Sequence, residues 1–103
     1  MRNLRRLIGV ITLLSVAIPC FAAGANVAAR YKKTCSLCHS SGAGGAPRTG
    51  NREEWAPRLE KGMPVLINSA KEGSKVMPPK GMCFDCSDDD FKTLIEFMSS
   101  AKK

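Results

Sequence analysis

Cys35-Ser36-Leu37-Cys38-His39 places two thiols and the chain's single imidazole within five residues. The two-residue gap on a helical turn lets both sulfurs reach one edge of a flat ring. Each thiol can add to a vinyl group there and form a thioether. The adjacent imidazole then lies under the ring's centre. The pattern reads as covalent haem attachment through Cys35 and Cys38, with His39 as an iron ligand. A disulfide beside an incidental histidine, or half of a zinc site, are the rival readings. Ser40 to Pro47, rich in Gly and Ser, favours haem, because small residues let the backbone lie close against a bulky group.

The iron's second axial position needs another donor. With no second histidine, the candidates beyond the N-terminal segment are Met63, Met77, Met82 and Met98. Met98 falls on the apolar stripe of a predicted helix and Met63 at the start of another, where methionine serves as core filler. Met77 stands before Pro78-Pro79, with 37 residues between it and His39. Two prolines hold the chain stiff and extended, so this loop can present a thioether without a helix. Met77 is therefore the expected ligand and Met82 the alternative. A thioether is a weak donor, so a His39/Met77 pair raises the reduction potential relative to two histidines, as an electron carrier needs.

Cys83-Phe84-Asp85-Cys86 is a second CxxC, but Ser87 follows where histidine would stand. It should bind no second haem. With two cysteines committed to thioethers, this pair is expected to close as a small-loop disulfide. A thiol-redox site is the sharper alternative. A zinc site using all four cysteines is disfavoured by the 44 residues between the pairs. Trp55 reads as core or haem packing, its N–H able to reach a haem propionate. Arg58 could pair with a propionate too, or stand as a solvated charge. Pro47 or a neighbouring carbonyl is expected to accept from the His39 ring N–H and fix the imidazole. Lys80 is read as a docking residue or a plain surface lysine.

Positioning these groups falls to a small domain. Arg2, Arg5 and Arg6, the apolar run Leu7 to Ile18, Pro19 and the small residues after it make a secretory signal. The run of 12 residues is short of the roughly 20 that cross a bilayer. Residues 1–25 are expected to be cleaved after Ala25, with Ala22 the nearest alternative. Cys20 raises a lipidation reading that Pro19 argues against, and an uncleaved membrane anchor is a further alternative. Residues 26–103 form one domain of 78 residues, marginal for a core of side chains alone, so a staple or cofactor is expected. Export implies an oxidising compartment. The full chain is formally +7, and loss of the three arginines leaves +4. That excess suits steering towards an acidic patch on a partner. With one Trp and one Tyr and no basic run it does not indicate nucleic acid.

Asn26 to Cys38 is predicted as a helix, with Val27, Ala28, Tyr31, Cys35 and Cys38 at helical spacing. Asn51 caps a short helix through Trp55 and Leu59 that ends near Gly62. Another has Pro64 in its first turn and runs to Lys71 or Glu72, with Gly73 as terminator and Val65, Leu66 and Ala70 inward. Ser74 to Asp85 is irregular. Ser87 and Asp88–Asp90 open a last helix with Phe91, Leu94, Ile95 and Met98 on one stripe. Nothing alternates at period two. The fold class is all-α: about four short helices and long loops wrapped around one haem.

Together these motifs resemble class I cytochrome c, specifically the cytochrome c5 group. The matching residues are CxxCH at Cys35–His39, Gly-Ala-Pro at Gly45–Pro47 and Trp-Ala-Pro-Arg at Trp55–Arg58. Lys-Gly-Met at Lys61–Met63, Met-Pro-Pro-Lys-Gly at Met77–Gly81 and Cys-x-Asp-Cys-Ser-Asp-Asp at Cys83–Asp89 complete the set. The resemblance covers nearly all of the chain after residue 25. It implies a small helical fold around one haem c, His39 and Met77 as axial ligands, and a Cys83–Cys86 disulfide. It also implies periplasmic residence and a respiratory electron carrier working between redox proteins such as an oxidase, reductase or dehydrogenase. Membrane contact comes only through those partners. With both axial positions filled, no enzyme activity is expected. A rival is an electron-transfer subunit of a larger oxidase or dehydrogenase. Met82 departs from the group, which usually has Gly there.

Overall fold

The structure, a computed structural model, describes residues 12–17 and 23–101. Five α-helices order it: α1 Ala23–Lys33, α2 Ser36–His39, α3 Arg52–Leu59, α4 Met63–Glu72 and α5 Asp88–Ser100. Single 3-10 turns lie at Ala43–Gly45 and Pro79–Met82. Among the described residues the only strand-like pairing is an isolated bridge between Ser74 and Met77.

Local chemistry accounts for the helix ends. The Ser87 hydroxyl accepts from Asp90 N at 3.2 Å while the Asp90 carboxylate accepts from Ser87 N at 2.9 Å, a reciprocal cap on α5. Asp88, Asp89 and Asp90 meet the positive end of its dipole. Asn51 caps α3 through a bond from Glu54 N, and Gly73, at φ +87, ends α4.

Two predicted details are corrected. The helix expected from Asn26 to Cys38 breaks at Thr34-Cys35. The Thr34 hydroxyl donates to Arg30 O at 2.8 Å, the carbonyl a continuing α-helix would offer to Thr34 N. Thr34 N turns instead to Tyr31 O, three residues back. On α4, Val65 is 48% exposed and Ile67 takes the inward place beside Leu66 and Ala70. Positions 66, 67 and 70 share one helical face, from which 65 is turned away.

The core is in two parts. Trp55, Ile95 and Met98 form one cluster, with Tyr31, Cys35, Met63, Leu66 and Phe97 against it. Ala70, Cys83 and Phe91 form the other, with Met77 and Cys86 against it. Ile67 packs on both, and α5 supplies a wall of each. Leu13, Leu14 and Val16, from the apolar run read as an export signal, are 75–88% exposed and belong to neither. The signal's charged head, Pro19, Cys20 and Ala22 lie outside the described residues. No described helix is long and apolar enough to cross a membrane.

Candidate haem site

The break after α1 leaves Cys35 as the cap of α2 and Cys38 within it. Both are free thiols, Cys35 half-buried and Cys38 exposed. Burial pushes the Cys35 thiol up, against the opposing Thr34 hydroxyl 3.4 Å from its sulfur, so it stays protonated near neutrality. His39 is 8% exposed. Its Nδ1 lies 2.8 Å from Pro47 O, and since a carbonyl can only accept, Nδ1 carries the proton and Nε2 keeps its lone pair. Burial holds the imidazole below the usual histidine range, opposed by the Pro47 carbonyl and aided by the Arg58 charge. His39 is therefore neutral at physiological pH, the form that ligates a metal. Its ring stacks on Trp55 with centroids 5.7 Å apart and planes 21° from parallel.

The Met77 loop is held by its backbone. Met77 N donates to Ser74 O at 2.8 Å and Ser74 N to Met77 O at 3.1 Å, closing a four-residue turn with Lys75 at φ +53. Gly73 backs this turn: a Cβ there would come within 2.9 Å of Met77 O and 3.0 Å of Pro79 N. Gly81 does the same for the side chain, since its added Cβ would meet Met77 Cε at 2.8 Å. Met77 is half-buried, whereas Met82 is 52% exposed at φ +70, a conformation that costs a side-chain-bearing residue energy. Met98 is buried and Met63 packs beside it in the first core cluster.

Beyond that loop, Cys83 and Cys86 are joined as a disulfide with Cα atoms 5.4 Å apart. Arg30 of α1 clamps this knuckle to α5. Its guanidinium lies 2.9 Å from the Asp90 carboxylate, 3.8 Å from that of Asp85, and 3.3 Å from Cys86 Sγ.

Trp55 takes the core place expected of it, 4% exposed and stacked on His39. Its Nε1–H donates to Arg48 O at 2.9 Å. Arg58 gives one Nη1–H to Glu54 O and lines an open cleft of about 380 Å³ with Ser41, Gly42, Pro47, Arg48 and Glu54. Arg48 was not singled out by sequence, although it follows Pro47 directly. Its guanidinium grips Glu54 at 2.8 and 3.0 Å and its N–H meets the same carboxylate at 2.7 Å. This pairing holds Glu54 below its usual carboxylate range. With Arg48 paired to Glu54, Arg58 is the cation this wall offers to an anionic group.

The donor set fits haem. Two free thiols with two residues between them and a neutral buried imidazole with Nε2 unprotonated are the groups covalent haem attachment needs, and a backbone-held thioether is among the donors an iron accepts. Cys35, His39 and Trp55 gather in one half of the core, and Met77 lies with Cys83 and Cys86 in the other.

Comparison with known proteins agrees. Residues 22–98 match the family model described as cytochrome C oxidase, cbb3-type, subunit III. The cytochrome c5 of Ectopseudomonas mendocina is 41% identical over 65% of this chain and 79% of its own. The mono-haem ferrocytochrome c of Shewanella putrefaciens is 53% identical, covering 74% of this chain and 94% of that one, with a TM-score of 0.66. A chain from the electron-transfer complex of nitrite reductase with cytochrome c is 30% identical over 67% of this chain and 84% of that chain, with a TM-score of 0.62.

Proposed function

This chain belongs to the cytochrome c5 family of class I c-type cytochromes, and from that premise we propose that it is a periplasmic carrier whose single haem iron is ligated by His39 and Met77. Like its relatives it is an electron carrier with covalent haem c, not an enzyme. Haem supplies reversible one-electron exchange at its iron. Cys35 and Cys38 tether it, and the second CxxC, closed as a disulfide, leaves the thioether role to this pair.

The observation that carries the reading is the His39 Nδ1–Pro47 O bond. It fixes the tautomer, aims the other nitrogen and strengthens it as a donor. For the opposite side, Met77 is favoured over Met82 because its turn is bonded at both ends and its side chain rests on Gly81, while Met82 is exposed. Arg58, on the wall of the cleft, is the cation for the haem carboxylates, while Arg48 beside it is paired with Glu54. Lysines such as Lys80, with the net positive charge, steer the carrier towards an acidic patch on a redox enzyme. A nitrite reductase or an oxidase is the kind of partner meant. The signal-like N-terminus supports export to the periplasm.

The description of the matching family favours a second reading, an electron-transfer subunit of an oxidase. Two measurements test the carrier. Cell fractionation should find the haem protein in the periplasmic extract, free of oxidase. A redox titration should show a single one-electron wave, with no carbon monoxide complex at neutral pH. Co-purification with an oxidase would favour the subunit reading, and ready carbon monoxide binding would refute the closed iron.

A further inference from the structure

Val76 immediately precedes Met77 on the four-residue turn and is 69% exposed. Its contact reaches across to the other loop. A Cβ built on Gly44, in the turn that follows His39, would overlap Val76 Cγ2 and lie 3.4 Å from Val76 Cβ. Gly44 holds φ +64. Its missing side chain lets the valine lie directly on the backbone of the attachment loop, 32 residues away in sequence. The Ser74–Met77 bonds and the Gly73 contact all lie within the ligand loop and its helix end. The Val76–Gly44 contact joins that loop to the one carrying the proximal histidine.

We infer that Val76 is a positioning residue for the iron: seated on Gly44, it latches the ligand loop to the attachment loop and sets how often Met77 swings away. The inference rests on the reading of Met77 as axial ligand. A loop anchored at its own base can still hinge there. The latch is the contact such a hinge must break. Because it is a small apolar contact at the surface, it tunes the opening without deciding the fold.

Imidazole tests this directly. It takes the second axial position only while Met77 is off, so its apparent affinity rises in proportion to the open fraction. Val76→Ala removes two methyl groups that are about one-third buried, and should tighten imidazole binding about two- to threefold. Val76→Thr keeps the shape and should stay near the unsubstituted value. Gly44→Ala drives a methyl into the valine and should tighten binding more. It also adds strain at positive φ, but that strain is independent of residue 76, so the double-mutant cycle removes it. In the Val76→Ala background, Gly44→Ala should therefore have a smaller effect. The open and unfolded states both lack this contact, so the unfolding constant of Val76→Ala should rise by no more than the same two- to threefold; a larger rise would mean that Val76 supports the fold at large and would overturn a positioning role.

Additive effects of the two substitutions, or unchanged imidazole affinity in Val76→Ala, would overturn the latch. Met77→Ala separates this from the underlying reading. If it fails to tighten imidazole binding, Met77 is not the ligand. If it tightens binding strongly while Val76→Ala does nothing, only the latch falls. Should Gly44→Ala fail to fold, the Val76→Ala and Val76→Thr pair decides the matter.

Discussion

The two halves of the core are built by different means. The attachment half is dense and local. Cys35 caps one short helix that contains Cys38 and His39, the imidazole stacks on Trp55, and Trp55 packs on Ile95 and Met98. The ligand half contains little regular structure. Met77 is held by a bonded turn, two glycines, two prolines and a disulfide knuckle clamped by Arg30. Side-chain packing fixes the first, and backbone constraint fixes the second. The contrast suits a His/Met iron: a strong donor needs only correct aim, whereas a weak thioether must be presented by a loop already shaped for it.

Truncation should expose the contrast most strongly in the attachment half. Trp55→Ala removes a side chain 4% exposed and should cost about 3–5 kcal/mol in urea unfolding. A loss below about 1 kcal/mol would show that packing does not hold this half. In the ligand half, replacing Cys83 and Cys86 by serine should cost about 2 kcal/mol, the loop-closure value for so short a ring. The haem spectrum should survive, and a spectrum lost with the disulfide would mean that the knuckle, not the turn, presents Met77. Smaller again, Met82→Gly should stabilise by about 1 kcal/mol, because glycine adopts φ +70 freely. A destabilised variant would show the side chain to be packing rather than strained.

Acid acts on both halves with the least effect. Hydrogen bonds hold Glu54, beside Arg48, and Asp90, capped by Ser87, below their usual range. A lowered folded pKa means the stabilisation is complete above the unfolded value and is lost as pH falls through the folded one. The contribution of these two carboxylates to the melting temperature should be level above about pH 5 and decline below about pH 4. Glu54→Gln and Asp90→Asn should each flatten that decline, and an unchanged acid limb would remove these carboxylates from the account.

What could be read from sequence follows the same division. The CxxCH helix, the capped α5 and the Pro64–Gly73 limits of α4 were legible because each depends on residues within one or two turns. The break at Thr34 was missed because a hydroxyl captured a carbonyl that helical periodicity assigns to the backbone. Val65 and Ile67 exchanged places because an apolar pattern one residue wide cannot set a helix's rotation until Ala70 meets Phe91 and Cys83. The Trp55–Arg48 bond and the Val76–Gly44 contact depend on how loops return in space, which no local pattern encodes.

The central claim is that a thioether from this loop completes the iron, and the optical spectrum of the oxidised protein tests it most directly. Thioether sulfur gives ferric haem a weak charge-transfer band at the red end of the visible. The account predicts that the band is present, survives Met82→Ala and disappears in Met77→Ala. A band lost with Met82, or a haem protein that lacks the band and binds carbon monoxide freely, would contradict it.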